Sequence, residues 1–145
     1  LGCAYFSKAE YQQAIEYYQQ SLKIARTIED HKGEGNSLAG LGLAYLFKAE
    51  YRQAIEYYQQ SLKIARAIGD QKEEGNSLNG IGNAYNFLGD HKQAIKYHEQ
   101  SLEIQRPIED RNGEANSLGG LGWAYSSLGD YKQAIKYHQQ SLEIA

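Results

Sequence analysis

Residues 70–104 read DQKEEGNSLNGIGNAYNFLGDHKQAIKYHEQSLEI, and this stretch predicts two helices joined by a tight turn. In its first half, Leu78, Ile81 and Tyr85 recur three and four residues apart, which is the spacing of one helix face. The second half repeats that spacing. Valine is absent from the chain and Thr27 is the only threonine, so little favours strands. We therefore expect a helical hairpin with two helices of about 17 residues each.

The ends of both helices carry their own signals. Asp70 and Asp90 each stand where an N-cap is expected, because a carboxylate accepts hydrogen bonds from the first free amides. Gly89, between the two helices, is suited to end the first helix in the left-handed conformation. The first two copies of this turn instead read Lys8-Ala9-Glu10 and Lys48-Ala49-Glu50. Alanine disfavours the left-handed conformation, so those turns are expected to differ or to be strained.

The same unit is written almost four times with a period of 40 residues. Residues 1–40 and 41–80 differ at only nine positions, and looser copies follow. Such self-similarity identifies a repeat array, so the fold class is predicted as an all-α solenoid of stacked hairpins. We expect one array over 1–145, with repeats at about 1–30 (partial), 31–70, 71–110 and 111–145 (last helix truncated). Residue 1 falls in mid-repeat and no methionine is present, which indicates a piece of a longer protein.

Glycines recur inside each predicted first helix, and they require an explanation. The pair Gly40 and Gly42 returns as Gly80 and Gly82 and again at 120 and 122. Each glycine costs about 1 kcal/mol relative to alanine in a helix. We interpret them as points where helix backbones approach closely. A dinucleotide-binding loop is rejected, because no strand precedes the glycines and the feature repeats with the array.

Composition excludes several classes of partner. The net charge is −3 and both signs are spread evenly, so no basic stripe is available for nucleic acid. Apolar runs are only a few residues long, which argues against a membrane span. The single cysteine, Cys3, cannot form an internal disulfide, and this is compatible with a reducing cytoplasm.

Several spaced residues resemble a known family. Leu41, Gly42 and Tyr45 are followed by Ala54 and Tyr58, and this pattern is similar to that of the tetratricopeptide repeat. The period of 40 exceeds the commoner 34. It is similar to the repeats of Pins/LGN-type scaffolds, kinesin light chains and cyanobacterial tetratricopeptide proteins. The resemblance implies a right-handed superhelix whose first helices stand side by side and line an inner groove for a partner segment.

The positions that vary between copies point to that groove. Residues 39, 43, 46 and 47 lie on one face of the first helix, at i, i+4, i+7 and i+8, away from the packing face. Amides can pair with the backbone of an extended peptide, and aromatic residues suit binding hot spots. The predicted peptide- or protein-binding residues are Phe6, Leu43, Leu46, Phe47, Asn76, Asn79, Asn83, Asn86, Phe87 and Trp123. Asn36, Asn76 and Asn116 do not vary, so they are expected to support the fold as much as to bind.

The charge of the variable face excludes one class of partner. Some tetratricopeptide domains clamp a C-terminal carboxylate with basic residues, but the variable face here carries no Lys or Arg. A carboxylate would therefore meet no countercharge.

Two hypotheses about function remain. The chain either holds a protein or peptide segment in its groove, or it is a structural array that forms homo-oligomers through uncapped ends. The alternative interpretation is that the variable face is an unconstrained surface, or that its apolar residues pack on neighbouring helices.

No catalytic, cofactor-binding or metal-binding residues are predicted. His98 and His138 occupy equivalent places in adjacent repeats, where no cysteine or carboxylate cluster joins them, so they are interpreted as half-buried packing residues. His31 and His91 are expected on the surface. Cys3 has no histidine partner at a plausible spacing, and no convergent set of titratable groups indicates an enzyme.

Overall fold

The computed structural model describes residues 8–144, with side chains described from residue 10 onward. Seven α-helices and no strand occur in this part of the chain. In chain order the helices are α1 (Lys8–Thr27), α2 (His31–Phe47), α3 (Tyr51–Ile68), α4 (Gln71–Leu88), α5 (His91–Gln105), α6 (Arg111–Ser127) and α7 (Tyr131–Ile144). The predicted all-α class is confirmed.

The helices form three hairpins, in which α2, α4 and α6 are the first helices and α3, α5 and α7 the second. Helix α1 precedes these hairpins and is equivalent to a second helix, because it packs on α2 as α3 packs on α4. Within each hairpin two tyrosine rings stack across the helix pair, with centroids 5.3–5.6 Å apart. The core is made of apolar residues that recur in every unit and are almost fully buried: Leu38, Leu41, Leu78, Ile81, Leu118 and Leu121. Burial of each such side chain stabilises the fold by about 1.5–3 kcal/mol.

The predicted N-caps are present. The side chain of Asp70 accepts a hydrogen bond from the Glu73 amide (3.2 Å), and Asp90 accepts one from Gln93 (3.3 Å). Asp130 does the same for Gln133. The Glu73 side chain does not complete a capping box by reaching back to Asp70. It turns inward to the hydroxyls of Ser61 on the facing helix α3 and of Ser77 on its own helix.

The turn between α4 and α5 follows the sequence prediction, since Gly89 adopts the left-handed conformation with φ 84°. Ala49 stands at the equivalent turn between α2 and α3 and has φ 67°. The backbone therefore follows the same path in both turns, and Ala49 is strained by its left-handed conformation. The expectation of strain at this turn is confirmed for Ala49, whereas Ala9 lies outside the residues whose side chains are described.

The helix glycines do accommodate a close neighbour, but the neighbour is an aromatic side chain rather than another backbone. A Cβ on Gly42 would lie 2.9 Å from the Tyr58 ring, and one on Gly80 would lie 2.5 Å from the same ring. Tyr58 is thus held between the first helix of its own hairpin and that of the next. His98 occupies the corresponding space between Gly82 and Gly120. The prediction of close packing at these glycines is correct, but the predicted neighbour, another helix backbone, is wrong.

The prediction that His98 is half-buried is wrong, because its side chain is completely buried in this slot. Neither ring nitrogen has a hydrogen-bond partner among the described residues. Burial lowers the pKa of His98 to about 4, so the ring is neutral at physiological pH. His138 is exposed. His91 is partly buried, and its Nδ1 lies 2.9 Å from Asn86 Oδ1, so it is not a free surface residue.

The array curves toward its first helices. Helix α4 contacts both α2 and α6, whereas no two second helices contact each other to a similar extent within residues 8–144. Instead, a pocket of about 270 Å³ opens between α5 and α7 on the opposite side. We call the exposed surface formed by α2, α4 and α6 the inner face.

Candidate binding groove on the inner face

A pocket of about 380 Å³ lies on the inner face between α2 and α4, and α6 contributes to its rim. We call it the amide pocket, because asparagine side chains form much of its wall. Five of the predicted binding residues line it: Leu43, Leu46, Asn76, Asn79 and Asn83. The other lining residues are Ala39, Gly40, Tyr58, Glu73, Gly80 and Asn116.

The asparagines of the amide pocket differ in exposure. Asn76 and Asn116 are exposed and Asn83 is partly exposed, so their amides are free to contact a ligand. Asn79 is only 8% exposed, and its Oδ1 has no hydrogen-bond partner among the residues described. Since an unpaired buried acceptor costs about 1–3 kcal/mol, it is a favourable place for an incoming donor.

Two predicted site residues serve the fold rather than an open surface. Asn86 is 2% exposed, its Nδ2 donates to the Gly120 carbonyl oxygen on α6, and its Oδ1 faces His91. It therefore ties α4 to α6 and to the start of α5. Leu46 is 8% exposed and belongs to the core cluster around Tyr58, so it forms the base of the amide pocket. The expectation that both residues lie open on the inner face is corrected accordingly.

Phe87 and Trp123 meet on the inner face even though they lie on different helices. Their ring centroids are 4.9 Å apart in an edge-to-face arrangement, and Tyr51 stacks parallel to Phe87, also at 4.9 Å. We call Tyr51, Phe87 and Trp123 the aromatic cluster. Phe87 remains 51% exposed, which makes this an apolar surface next to the amides. Tyr51 was not predicted, because it begins a second helix and does not vary between the first two copies.

The N-terminal part of the inner face is apolar. Leu43 and Phe47, each 41% exposed, line a second pocket of about 200 Å³ together with Tyr11, Tyr18 and other residues of α1 and α2. Leu43 belongs to both pockets and therefore connects them. Phe6, also predicted for this region, lies outside the described residues.

Glu73 is the charged residue of the amide pocket that sequence reasoning missed. Its carboxylate lies 3.5 Å from the Ser61 hydroxyl and 3.4 Å from that of Ser77. Burial and the neighbouring Asp70 raise the pKa of Glu73 to about 7, against a smaller lowering by the two hydroxyls. A signal existed in the sequence, because the equivalent residues of the other repeats are Gly33 and Gly113.

The described residues contain no group of three or more His, Cys, Asp or Glu side chains that could hold a metal ion. None of the seven helices is long and apolar enough to cross a lipid bilayer. The arrangement on the inner face is instead one of hydrogen-bonding amides beside apolar and aromatic surface.

Solved structures that share this architecture include those of three proteins. The tetratricopeptide domain of Arabidopsis FLU matches with a TM-score of 0.74 and 26% identity, covering 78% of this chain and 95% of that one. BtubC from P. vanneervenii matches with a TM-score of 0.81 and 19% identity, over 94% of this chain and 57% of that one. A putative kinesin light chain of Podosopora anserina with nearly identical TPR-like repeats gives 0.69 and 21%, over 94% and 67%.

No curated protein matches the chain in sequence. The family model for the tetratricopeptide repeat matches residues 1–67 and 73–145, which together are nearly all of the sequence. The solved structures agree with that match in architecture. The chain therefore belongs to the tetratricopeptide-repeat family.

Proposed function

We propose that this chain is a protein-interaction module that holds an extended segment of a partner protein along its inner face. Tetratricopeptide repeats generally mediate protein–protein interactions, and their fold is typically a non-catalytic scaffold. The observation that carries the proposal is the juxtaposition of exposed asparagine amides with the aromatic cluster on neighbouring first helices.

Each part of the surface suits a different part of such a segment. The amides of Asn76, Asn83 and Asn116 both donate and accept, so they can pair with the peptide groups of an extended backbone. The exposed edge of Phe87 beside Trp123 offers an apolar contact for a large side chain. The alternation of these surfaces along α2, α4 and α6 favours an extended segment over a globular partner.

Peptide selection followed by calorimetry tests this proposal. Peptides selected from a random library on the immobilised chain would be titrated into the wild type and into Asn83→Ala and Trp123→Ala. Each substitution is expected to weaken binding by about 1–3 kcal/mol, because it removes an amide contact or an aromatic anchor. Gln59→Ala, an exposed change on α3, is the matched control and should bind as the wild type does.

Two results would contradict the proposal. If the library yields no peptide that binds the chain, the peptide-holding function fails. If selected peptides bind both inner-face variants with wild-type affinity, the binding surface lies elsewhere. Circular dichroism of each variant, which should match the wild type, separates a lost contact from a lost fold.

A second candidate function is a self-assembling array. It is favoured by the last helix, whose Leu142 is 75% exposed although the equivalent Leu22, Leu62 and Leu102 are 7–8% exposed. Those three leucines are covered by the next unit of the same kind. A unit of this repeat, such as one from a second copy of the chain, is therefore an occupant that the face of α7 fits.

A further inference from the structure

Glu73 places a carboxylate at a position where the fold does not need one. In the next repeat the residue equivalent to Glu73 is Gly113, and the space beside it is filled by the side chain of Gln105, which reaches across from α5. Two serines also lie beside this space, as they do at Glu73. With its amide nitrogen toward α6, Gln105 donates to the Gly113 carbonyl at 2.9 Å, and it lies 2.6 Å from the Ser117 hydroxyl. A neutral amide therefore performs the packing role in one repeat and an acid replaces it in the other.

The two solutions also differ in what they expose. Gln105 is completely buried, so its hydrogen bonds are made within the protein. Glu73 is only partly buried and lines the amide pocket. Its hydrogen bonds to Ser61 and Ser77 are long, at 3.5 and 3.4 Å. The acid of the second repeat thus faces a cavity that is open to a ligand.

The charge of Glu73 has no counter-ion among the residues that line the amide pocket, none of which is Lys or Arg. At the start of its own helix, the N-cap residue Asp70 repels it. From α3 it faces the Tyr58 ring. The adjacent Glu74 is paired elsewhere, with Arg66 at 3.1 Å. A carboxylate in this setting is stabilised by a cation that arrives with a ligand.

A second and independent observation also favours a donor. Asn79 lines the same pocket, is more than nine-tenths buried, and has an Oδ1 without a hydrogen-bond partner among the described residues. Leu43 and Leu46 form an apolar wall beside these acceptors. An acceptor-rich end and an apolar wall match a long side chain with a methylene stem and a charged donor head.

We propose that the amide pocket receives a basic side chain, lysine or arginine, from the partner segment, with the Glu73 carboxylate as its counter-ion. This inference rests on the proposed function and adds a specificity to it. Tyr58 and Asn79 shape the pocket around the charged head, and the apolar wall holds the stem. The same geometry disfavours an acidic residue or a C-terminal carboxylate at this place, because it would meet Glu73.

The test uses the tightest peptide from the selection described above. We expect a lysine or arginine to recur at one position of the selected sequences. That peptide would be compared with a version in which the basic residue is replaced by norleucine or citrulline. Both would be titrated into the wild type, Glu73→Gln and the matched control Glu74→Gln. Glu73→Gln should weaken the basic peptide about tenfold and leave the neutral version unchanged, while Glu74→Gln should change neither.

Carboxyl NMR gives a readout that a purely structural role would not move. The pKa of Glu73, raised to about 7 in the free chain, should fall when the basic peptide binds and should not fall with the neutral one. The inference is overturned if Glu73→Gln weakens both peptides equally, or if the selected peptides lack a basic residue. In the latter case, sensitivity to Asn83→Ala would still support the proposed function. A failure of all peptides to bind would remove both proposals.

Discussion

Ala49 is a residue whose backbone is determined by the repeat rather than by its own side chain. It has φ 67°, and the equivalent residues Gly89 and Gly129 have φ 84° and 86°. The left-handed conformation costs an L-residue about 1–2 kcal/mol and costs glycine little. Because the turns before α3 and α5 must aim equivalent helices at equivalent neighbours, alanine adopts the conformation that glycine would prefer.

Ala49→Gly is accordingly expected to stabilise the chain by about 1 kcal/mol, since it relieves this strain. Gly89→Ala is the reverse change at the equivalent turn and should destabilise it by a similar amount. A methyl group at Gly89 would meet no atom within 4 Å, and Ala49 is exposed, so packing does not confuse the comparison. Urea unfolding measures both variants. Equal midpoints for the two variants would contradict a backbone origin of the effect.

At the scale of the helix, aromatic rings of the second helices hold the array together. Tyr58 lies between Gly42 and Gly80, so one ring joins a hairpin to the next. The ring fills the space that side chains at these two positions would occupy. Its burial offsets the free energy that each glycine costs in a helix. Tyr58 is only 5% exposed, and burial raises its pKa further above the normal tyrosine range.

Two glycines of equal helix propensity should respond oppositely to alanine. Gly80→Ala would place a Cβ 2.5 Å from the Tyr58 ring and is expected to destabilise the chain by about 1–3 kcal/mol. Gly119→Ala on α6 meets no atom within 4 Å and should stabilise it by about 1 kcal/mol. Thermal unfolding of the two variants checks the difference. A destabilised Gly119→Ala together with a tolerated Gly80→Ala would refute the assigned packing.

At the scale of the whole molecule, the array presents at α7 a face that is buried or partly buried in its other second helices. Leu142, Ile135 and Tyr131 are 75%, 58% and 64% exposed. Since each repeat covers such a face with a copy of nearly the same sequence, a second chain is a suitable partner for it.

The 145-residue chain is therefore expected to self-associate as its concentration rises, in light scattering or sedimentation. Leu142→Lys combined with Ile135→Lys should shift it toward the monomer, because charged side chains cannot be buried unpaired in that contact. Gln139→Lys adds a charge at another exposed position of α7 and serves as the control. A wild-type chain that stays monomeric at every concentration would rule out assembly through this face.

The predicted binding residues show where sequence reasoning succeeds and where it stops. Residues on one face of a single helix share a direction, so the pattern placed Leu43 and Asn83 together on the amide pocket. It could not distinguish Asn86 from Asn83, because the difference depends on the Gly120 carbonyl of another helix. It also missed Glu73, whose side chain is turned toward the pocket by serines on α3 and α4.

The sequence by itself determined the helical hairpin, its caps and its repetition, because these depend on residues within one helical turn or at the same place in the next copy. Only the tertiary structure decided which residues of the variable face are open and which are buried. Exposure depends on how the first helices approach one another across the array. That approach is set by rings such as Tyr58 and His98 fitting against glycines that lie far away in the chain.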